Sequence, residues 1–446
     1  MKRVRLGAGA GYGGDRIDPA LELVTDGDID YLIYECLAER TIALHQQEKL
    51  ADPSRGYSPA LERRMREVLR PAQERGIRII TNMGAANPQA AAEKVVGLAA
   101  GLGLKGITVA AVIGDDVLDW AKTGPGVVLE TGESLSDYTG RMVSANAYLG
   151  AGPLVEALQR GAQVIITGRV ADPALFLAPL VHEYSWGWDD YDRLGQGTVV
   201  GHLLECAGQV TGGYFADPGY KEVPRLWDLG FPIAEVAEGG AAVITKPPGS
   251  GGLVTPGTCK EQLLYEIHDP SAYLTPDVVA DFTRVSISGD GQDRVVVRGG
   301  RGRERPSSLK VSVGYRDSFV GEGEIGYAGP GALERAKLAA EVVRKRLEKT
   351  APQLTEVRYD LVGINSLHGP WLSRLETPPY EVRLRVAGRA PTRDAAARVG
   401  EEVESLWTNG PAGGGGATRG VREVVGIVST TIPRQSVSPR LVMMSS

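Results

Sequence analysis

The chain has 446 residues, of which 42% are hydrophobic, so it can bury a large core and should form about two or three domains. Its formal net charge is −6 at pH 7, which makes nucleic acids and anionic membrane surfaces poor candidates for partners. No apolar run has the length of a membrane span, the first residues lack the apolar core of a signal peptide, and the three cysteines lack metal-site spacing. We therefore expect a cytoplasmic protein without disulfides or structural zinc.

The first part of the chain alternates between short apolar segments and helical segments. Strands are predicted at residues 4–6, 31–34, 77–81, 107–112 and 164–167. Helices are predicted at residues 19–23, 61–73, 89–102, 153–159 and 173–182. Repeated strand–helix units of this kind indicate an α/β domain with a mostly parallel sheet, either open or closed into a barrel.

A second pattern follows after a turn-rich and β-rich stretch that begins near residue 216. It consists of a strand (309–315), a helix (332–348), two strands (357–362 and 382–386), a helix (393–406) and a strand (421–428). The order β-α-β-β-α-β is that of the ferredoxin-like split βαβ arrangement. We therefore predict an α/β domain at residues 1–304, with 216–304 as its β-rich part, and a ferredoxin-like α+β domain at residues 305–446. The residues after Pro433 show no pattern.

Three clusters of glycine occur in the chain, at residues 7–15, 245–252 and 408–420. The third contains four consecutive glycines, Gly413, Gly414, Gly415 and Gly416. Successive amides without side chains can form a concave nest for an anion, and Arg419 stands close by to supply positive charge. The alternative is a flexible surface loop.

The first glycine cluster matches G-x-G-x-x-G directly after a predicted strand. The predicted helix starts well beyond the last of these glycines, however, and the carboxylate of Asp15 would repel a phosphate. We therefore favour a strand-end loop that presents Asp15 and Arg16 to a ligand over a dinucleotide site. A tight turn without a ligand is the alternative.

Carboxylates follow the second predicted strand, where Glu35 and Glu39 could face one cleft and act as acid and base. Cys36 lies between them, beside the start of a helix that could lower the pKa of its thiol. The alternatives are that Glu39 caps a helix and that Cys36 is a small buried hydrophobic residue.

Polar residues also follow the third, fourth and fifth predicted strands, at Asn82, at Asp115 and Asp116, and at Arg169. They should meet at one edge of a parallel sheet, where the Arg169 guanidinium would suit a substrate carboxylate or phosphate. Mg²⁺ at Asp115 and Asp116 is possible but not indicated, because nothing fixes the remaining oxygen ligands. Helix capping by Asn and Asp is the alternative explanation.

The segment 202–214 contains the densest set of catalytic residue types. His202 and Glu205 are three residues apart, which places two side chains on one face of a helix, and they could transfer protons. Cys206 is a candidate nucleophile. The alternative is a buried helix that ends at a glycine turn. Lys246 precedes the second glycine cluster and could hold a nucleotide-like or coenzyme A phosphate, although P-loop spacing is absent and no NTPase is expected.

Several motifs taken together resemble one family. They are GAGAGYGGDR, DYLIYECLAERTIAL, ITGRVADPALFLAPLVHEY, HLLECAGQVTGG, TKPPGSGGLVTPGT, and LWTNGPAGGGG with REVVGIVSTTIPR. The chain resembles the acyclic terpene utilisation (AtuA) family over nearly all of its length. The resemblance implies an AtuA domain followed by a smaller ferredoxin-fold domain, and a link with the degradation of branched or isoprenoid acids carried as coenzyme A thioesters. It specifies no reaction.

Our leading hypothesis is a lyase, hydratase or hydrolase without a redox cofactor that acts on a small anionic substrate. Proton transfer is assigned to Glu35, Glu39, or Glu205 with His202, and anion binding to Arg169, Lys246 and the glycines at 413–416. One alternative is a non-catalytic small-molecule-binding protein or a subunit of a larger complex. Another is a nucleotide-dependent oxidoreductase. We expect a homo-oligomer.

Overall fold

The computed structural model describes residues 2–373, 377 and 379–446, which divide into two compact units. The first unit consists of the chain up to Gly314 together with Ile427–Ser446, and the second is Tyr315–Gly426. The chain thus leaves the first unit ten residues after the boundary predicted at 304 and returns to it for the last twenty residues. Those last residues include the tail in which the sequence showed no pattern.

The secondary structure is mixed. The strands are β1 (Arg3–Ala10), β2 (Tyr31–Tyr34), β3 (Arg78–Thr81), β4 (Thr108–Ile113), β5 (Met142–Ala147), β6 (Val164–Thr167), β7 (Ile233–Ala237), β8 (Ala242–Thr245), β9 (Tyr273–Leu274), β10 (Val279–Asp281), β11 (Ser286–Gly289), β12 (Val295–Arg298), β13 (Arg301–Arg303), β14 (Ser308–Ala328), β15 (Glu356–Val362), β16 (Glu381–Ala390), β17 (Gly415–Pro433) and β18 (Arg440–Ser445). The helices are α1 (Asp18–Asp26), α2 (Glu39–Ala51), α3 (Leu61–Arg75), α4 (Pro88–Gly101), α5 (Leu118–Thr123), α6 (Gly152–Gln159), α7 (Asp172–Tyr184), α8 (Tyr191–Glu205), α9 (Pro256–Leu264), α10 (Ala332–Thr350), α11 (Gly369–Leu372), α12 (Arg393–Glu404) and α13 (Leu406–Asn409).

The main sheet of the first unit has ten strands in the order β11-β12-β8-β7-β1-β2-β3-β6-β4-β18. Its centre is parallel, because β1, β2, β3, β6 and β4 pair in the same direction. These five strands are the ones predicted from apolar runs, and their central residues are buried. Helices connect them, as parallel neighbours require.

Antiparallel strands flank this centre on both sides, so the prediction of a mostly parallel sheet is wrong for the sheet as a whole. On one side, β7, β8, β12 and β11 come from the stretch predicted as β-rich and join by antiparallel pairing. On the other side, β18 pairs antiparallel with β4. The sequence did not predict this antiparallel extension, because local turn signals and apolar runs do not reveal which distant strand a segment will join.

Helix α8 positions His202 and Glu205, two residues of the site described below. All its residues from Leu194 to Glu205 are buried, which is possible because small residues let neighbouring elements come close. A Cβ on Gly201 would lie 2.7 Å from the carbonyl oxygen of Pro173 in α7. The absence of a side chain at Gly201 therefore lets α7 and α8 pack backbone to backbone and brings the ends of both helices to one place.

The main elements of the second unit follow the order β14-α10-β15-β16-α12-β17, with the short helix α11 before β16 and the short helix α13 after α12, and its strands are arranged β15-β16-β14-β17. Its core forms where α10 and α12 cover β16, with buried residues such as Val343, Leu384 and Val399. Strands β14 and β17 are much longer than the apolar runs that predicted them, at 21 and 19 residues. The order matches the predicted split βαβ pattern; its status as an independent domain stays a prediction.

Candidate functional site

A cavity of about 380 Å³ lies in the first unit, and we call it the acid–base cavity. Its ionisable side chains are Glu39, Tyr148, Asp172, His202, Glu205, Glu266, Tyr273 and Lys310. Much of the remaining wall is apolar and includes Leu129, Pro173, Leu274, Pro276, Pro306 and Leu309. Glu39 and Asp172 begin the helices that follow β2 and β6, so the cavity lies at the carboxyl ends of parallel strands, where ligands of α/β sheets bind.

His202 and Glu205 are one turn apart at the end of α8 and form the most distinctive pair in this wall. The imidazole Nδ1 lies 2.6 Å from the Glu205 Oε1. Within the part of the chain that the structure describes, neither the buried His202 Nε2 nor the buried Glu205 Oε2 has a hydrogen-bond partner. The rings of Tyr273 and Phe282 pack against the imidazole, each with its centroid 5.6 Å away. The bond to Glu205 and the two aromatic rings thus hold the imidazole in one orientation, and each member of the pair keeps one buried polar atom without a partner among the described residues.

The environment of this pair keeps a proton available near neutral pH. Burial raises the pKa of Glu205 to about 7, although the neighbouring His202 opposes the shift. Burial lowers the pKa of His202, but the Glu205 carboxylate, together with smaller contributions from the backbone at Gln262 and Leu263, more than offsets it, so the pKa of the imidazole is raised. A shared proton near neutral pH is what general acid–base catalysis requires.

Glu39 lies in a different electrostatic setting on the same wall. The Tyr148 hydroxyl donates a hydrogen bond to its Oε1, and the Lys310 Nζ lies 3.3 Å from the same atom. Burial raises the pKa of Glu39, but the Tyr148 hydrogen bond and the charges of Lys310 and Arg169 lower it to about 2. Glu39 is therefore ionised at neutral pH, which suits a base or a fixed charge and not a proton donor.

Arg169 forms the centre of a buried polar cluster behind the cavity. Its guanidinium donates hydrogen bonds to the carbonyl oxygens of Leu37 and Val170 and to the Asp172 carboxylate. The same group lies 4.6 Å from the ring centroid of Tyr148. Most of the N–H donors of Arg169 are therefore bonded to other groups of the protein, and only 1% of the residue is exposed. Its predicted role in binding a substrate anion stays a prediction.

Glu35 and Asn82 belong to this Arg169 cluster (Arg169, Asp172, Glu35 and Asn82). The Glu35 Oε1 accepts hydrogen bonds from the Leu37 backbone at 2.8 Å and the Asn82 amide at 2.9 Å, while the Asn82 Oδ1 accepts from the Cys36 backbone. Burial raises the pKa of Glu35, and the charge of Asp172 raises it further. Among the described residues that line the acid–base cavity, neither Glu35 nor Asn82 occurs.

Asp115 also turns inward and bonds to the protein. Its Oδ2 accepts from the Asn146 amide and the Arg169 backbone, both at 2.9 Å, and burial raises its pKa to about 6. Asp116 accepts instead from the Leu118 backbone. Throughout residues 2–373, 377 and 379–446, no group of three or more His, Cys, Asp or Glu is placed to hold a metal ion.

The first glycine cluster lines a separate cavity of about 530 Å³ together with Cys206, Tyr214 and Tyr265. A Cβ on Gly11 would lie 2.5 Å from the carbonyl carbon of Cys206, so this glycine allows β1 to pack against the end of α8. Burial raises the pKa of the Cys206 thiol, which keeps it protonated at neutral pH. Cys206 thus lines a different cavity from His202 and Glu205.

The loop of Asp15 and Arg16 is tied to the protein from both sides. The Asp15 Oδ2 accepts from the Gly11 backbone at 2.9 Å. The fully buried Arg64 donates to the backbone carbonyls of Asp15 and Arg16, at 2.7 and 3.1 Å. Arg64 did not stand out in the sequence, because it is one of several basic residues in α3 and its burial depends on tertiary packing.

Lys246 is buried and anchors the loop that follows it. Its Nζ donates to the Ser250 carbonyl at 2.8 Å and lies 3.4 Å from the Asp293 carboxylate. Its charge is therefore balanced within the protein. These residues line a further cavity of about 430 Å³, and the predicted phosphate contact of Lys246 stays a prediction.

The glycine run at 413–416 belongs to the second unit. Gly413 and Gly416 have φ angles of +73° and +64°, and a Cβ on Gly414 would lie 3.0 Å from the Ile325 Cδ1. The prediction placed the run before the last strand, whereas Gly415 and Gly416 begin β17. Arg419 forms an ion pair with Glu404 at 3.2 Å. An anion nest here stays a prediction.

Five ionisable residues of the acid–base cavity were not predicted from the sequence, namely Tyr148, Asp172, Glu266, Tyr273 and Lys310. Tyr148 follows β5, a strand that was also not predicted. Asp172 was not singled out as a site residue in the sequence, although its position after the fifth predicted strand was an available signal. Lys310 lies within a predicted strand, where a charged residue normally indicates a solvent-exposed face.

No helix in the described part of the chain has both the length and the apolar character needed to cross a membrane. Comparison with curated proteins and with solved structures gave no match. A family model, described as acyclic terpene utilisation family protein AtuA, matches residues 4–443. The match covers both units almost completely, and the chain belongs to the AtuA family.

Proposed function

We propose that this AtuA-family protein is an enzyme that catalyses acid–base addition or elimination on branched or isoprenoid acids, carried as thioesters. The observation that carries the proposal is the His202–Glu205 pair, two cavity-lining residues joined by a hydrogen bond, each with one buried polar atom that has no partner among the described residues. Family membership links the chain to acyclic terpene utilisation and thus to branched apolar substrates.

The apolar and the ionisable residues of the cavity would have different roles. The apolar residues, among them Leu129, Leu274 and Leu309, suit a branched hydrocarbon. The Lys310 ammonium, held near Glu39, would attract the negative charge that develops on a thioester oxygen when the adjacent carbon loses or gains a proton. His202 and Glu205 would then move that proton.

This chemistry is favoured over a covalent acyl-enzyme. Burial raises the pKa of the Cys206 thiol, and Cys206 lines the cavity of the first glycine cluster. A thiol that stays protonated is a poor nucleophile. Hydration would add a water proton and hydroxide across the double bond of an enoyl thioester, which needs only an acid and a base.

The test compares the turnover of branched enoyl thioesters by the wild-type protein and by Glu205→Gln. Turnover is measured as the loss of enoyl absorbance. We expect Glu205→Gln to lower kcat by about 10²- to 10⁴-fold, because general acid–base groups contribute this much. His45 and Glu48 form a second His–Glu pair with the same spacing, at 3.1 Å in α2, and provide a matched control outside the cavity.

Glu48→Gln should leave kcat unchanged within about twofold, since its loss affects only an exposed pair. Equal activity of Glu205→Gln and wild type would rule out the acid–base role. A wild-type protein that binds the thioester but does not turn it over would indicate a binding protein instead.

A further inference from the structure

A second cavity, of about 440 Å³, adjoins the acid–base cavity in the first unit, and Leu309 lines both. We call it the arginine cavity, after Arg305 and Arg434, which line it together with Asp277 and Trp188. None of these residues has a role in the acid–base chemistry proposed above.

Arg434 is held in a fixed position. Its Nη2 donates hydrogen bonds to the carbonyl oxygens of Pro276 and Pro306, and its Nε lies 3.4 Å from the Pro306 oxygen. Pro276 and Pro306 also line the acid–base cavity. The guanidinium is thus preorganised by the partition between the two cavities, which lowers the entropy lost when a ligand binds.

The arginine cavity is lined by two arginines, Arg305 and Arg434, and by two carboxylates, Asp277 and Glu156, of which Glu156 ion-pairs with Arg160 outside the lining. Across residues 2–373, 377 and 379–446, no ion pair or hydrogen bond engages the Arg305 guanidinium, which is exposed. Arg305 and Arg434 line the same cavity, where burial lowers the pKa of Arg434 and the charge of Arg305 lowers it further. Both oxygens of Asp277 accept from the Ala151 backbone, at 3.0 and 2.9 Å.

We infer that the arginine cavity binds a phosphate group of the molecule whose reacting end occupies the acid–base cavity. Paired guanidiniums match the geometry of phosphate oxygens and bind them through charge-assisted hydrogen bonds. The inference rests on the proposed function, because it names the class of substrate: a thioester whose carrier bears phosphate.

The phosphate could belong to a nucleotide carrier or to a simpler phosphate compound. Contact with Trp188 distinguishes these two classes of ligand. Its indole is 39% exposed and lines the same cavity, where it offers a face on which a nucleotide base can stack. A nucleotide carrier would use both Trp188 and the arginines, whereas a simple phosphate would use the arginines alone.

The experiment is calorimetric titration of the full chain with adenosine 3′,5′-bisphosphate and, separately, with pyrophosphate. We expect Arg305→Ala to weaken binding by about ten- to a hundredfold, the usual contribution of hydrogen bonds to a charged group. Arg298→Ala removes an exposed arginine of β12 that does not line the cavity and should leave affinity unchanged. Arg305 is chosen because it is exposed and bonds to nothing that holds the fold.

Binding of both probes that Arg305→Ala weakens and Arg298→Ala spares supports the phosphate site, and a further loss in Trp188→Ala with the nucleotide alone identifies a nucleotide carrier. Absence of binding to the wild type, or equal weakening by Arg305→Ala and Arg298→Ala, would overturn the inference. Because binding is measured without turnover, an inactive cavity that still binds phosphate would refute the proposed function and leave the phosphate site intact.

Discussion

The Arg169 cluster and the His202–Glu205 pair lie beside the same cavity, and both are buried and ionisable. They differ in what their polar atoms bond to. The guanidinium of Arg169 donates hydrogen bonds to the carbonyl oxygens of Leu37 and Val170 and to the Asp172 carboxylate. In the pair, by contrast, the imidazole and the carboxylate each have one polar atom without a hydrogen-bond partner among the described residues. Burial and charge alone therefore do not distinguish a scaffold from a candidate catalytic group; the unbonded atoms do.

The largest effect that would test this difference is on stability. Arg169→Met should lower the free energy of unfolding by about 2–4 kcal/mol, because it leaves two buried carbonyls and the partly exposed Asp172 carboxylate without their partner. Glu205→Gln should lower it by less than about 1 kcal/mol, since little of the fold depends on its free oxygen. Urea denaturation at neutral pH measures both. Equal losses in the two variants would contradict the division into scaffold and site.

The next largest expected effect is a pH dependence of stability that comes from the buried Asp115. Burial raises the pKa of Asp115 from 3.8 to about 6, so the folded state holds this proton more tightly than the unfolded state. The stability that it contributes is full below pH 4 and is lost as pH rises through 6, by up to about 3 kcal/mol.

Asp115→Asn should remove this dependence, because its amide oxygen can still accept from Asn146 and Arg169. Relative to wild type, the variant should become more stable between pH 4 and pH 7, as measured by urea denaturation at both values. A constant difference between wild type and variant across that range would show that Asp115 does not titrate there.

A smaller effect is expected for the charge on the cavity wall. Lys310→Met removes the ammonium that lies 3.3 Å from the Glu39 carboxylate and should lower kcat for a thioester substrate by about tenfold, or 1.4 kcal/mol, with little change in KM. Lys337→Met, in a surface pair with Glu334, is the matched control and should not change kcat. A change in kcat that is equal in the two variants would exclude a specific role for Lys310.

The smallest effect is expected for the second His–Glu pair. His45→Gln breaks the bond to the exposed Glu48 carboxylate in α2 and should change stability by about 1 kcal/mol or less. The corresponding His202→Gln should reduce turnover strongly with a modest loss of stability. If both substitutions left turnover unchanged, the shared spacing would have no catalytic meaning in either helix.

Part of the site could be predicted from the sequence. The spacing of His202 and Glu205 in a helix predicted their pairing, since i and i+3 side chains share a face. Glu39 and Asp172 follow apolar strands, and parallel strands bring such residues to one edge. Lys310 and Tyr148 could not be predicted, because they reach the cavity from β14 and from the residue after β5, and no local pattern encodes that approach.

By itself, the sequence determined the local elements of this protein and its AtuA-family membership, because apolar periodicity, turn residues and long motifs are properties of neighbouring residues. Tertiary structure alone decided that β18 would complete the main sheet, that Gly11 would serve packing against Cys206, and which buried polar atoms would remain unbonded. Each of these depends on segments far apart in the chain, and the free energy that selects them comes from packing and hydrogen bonding after the elements meet.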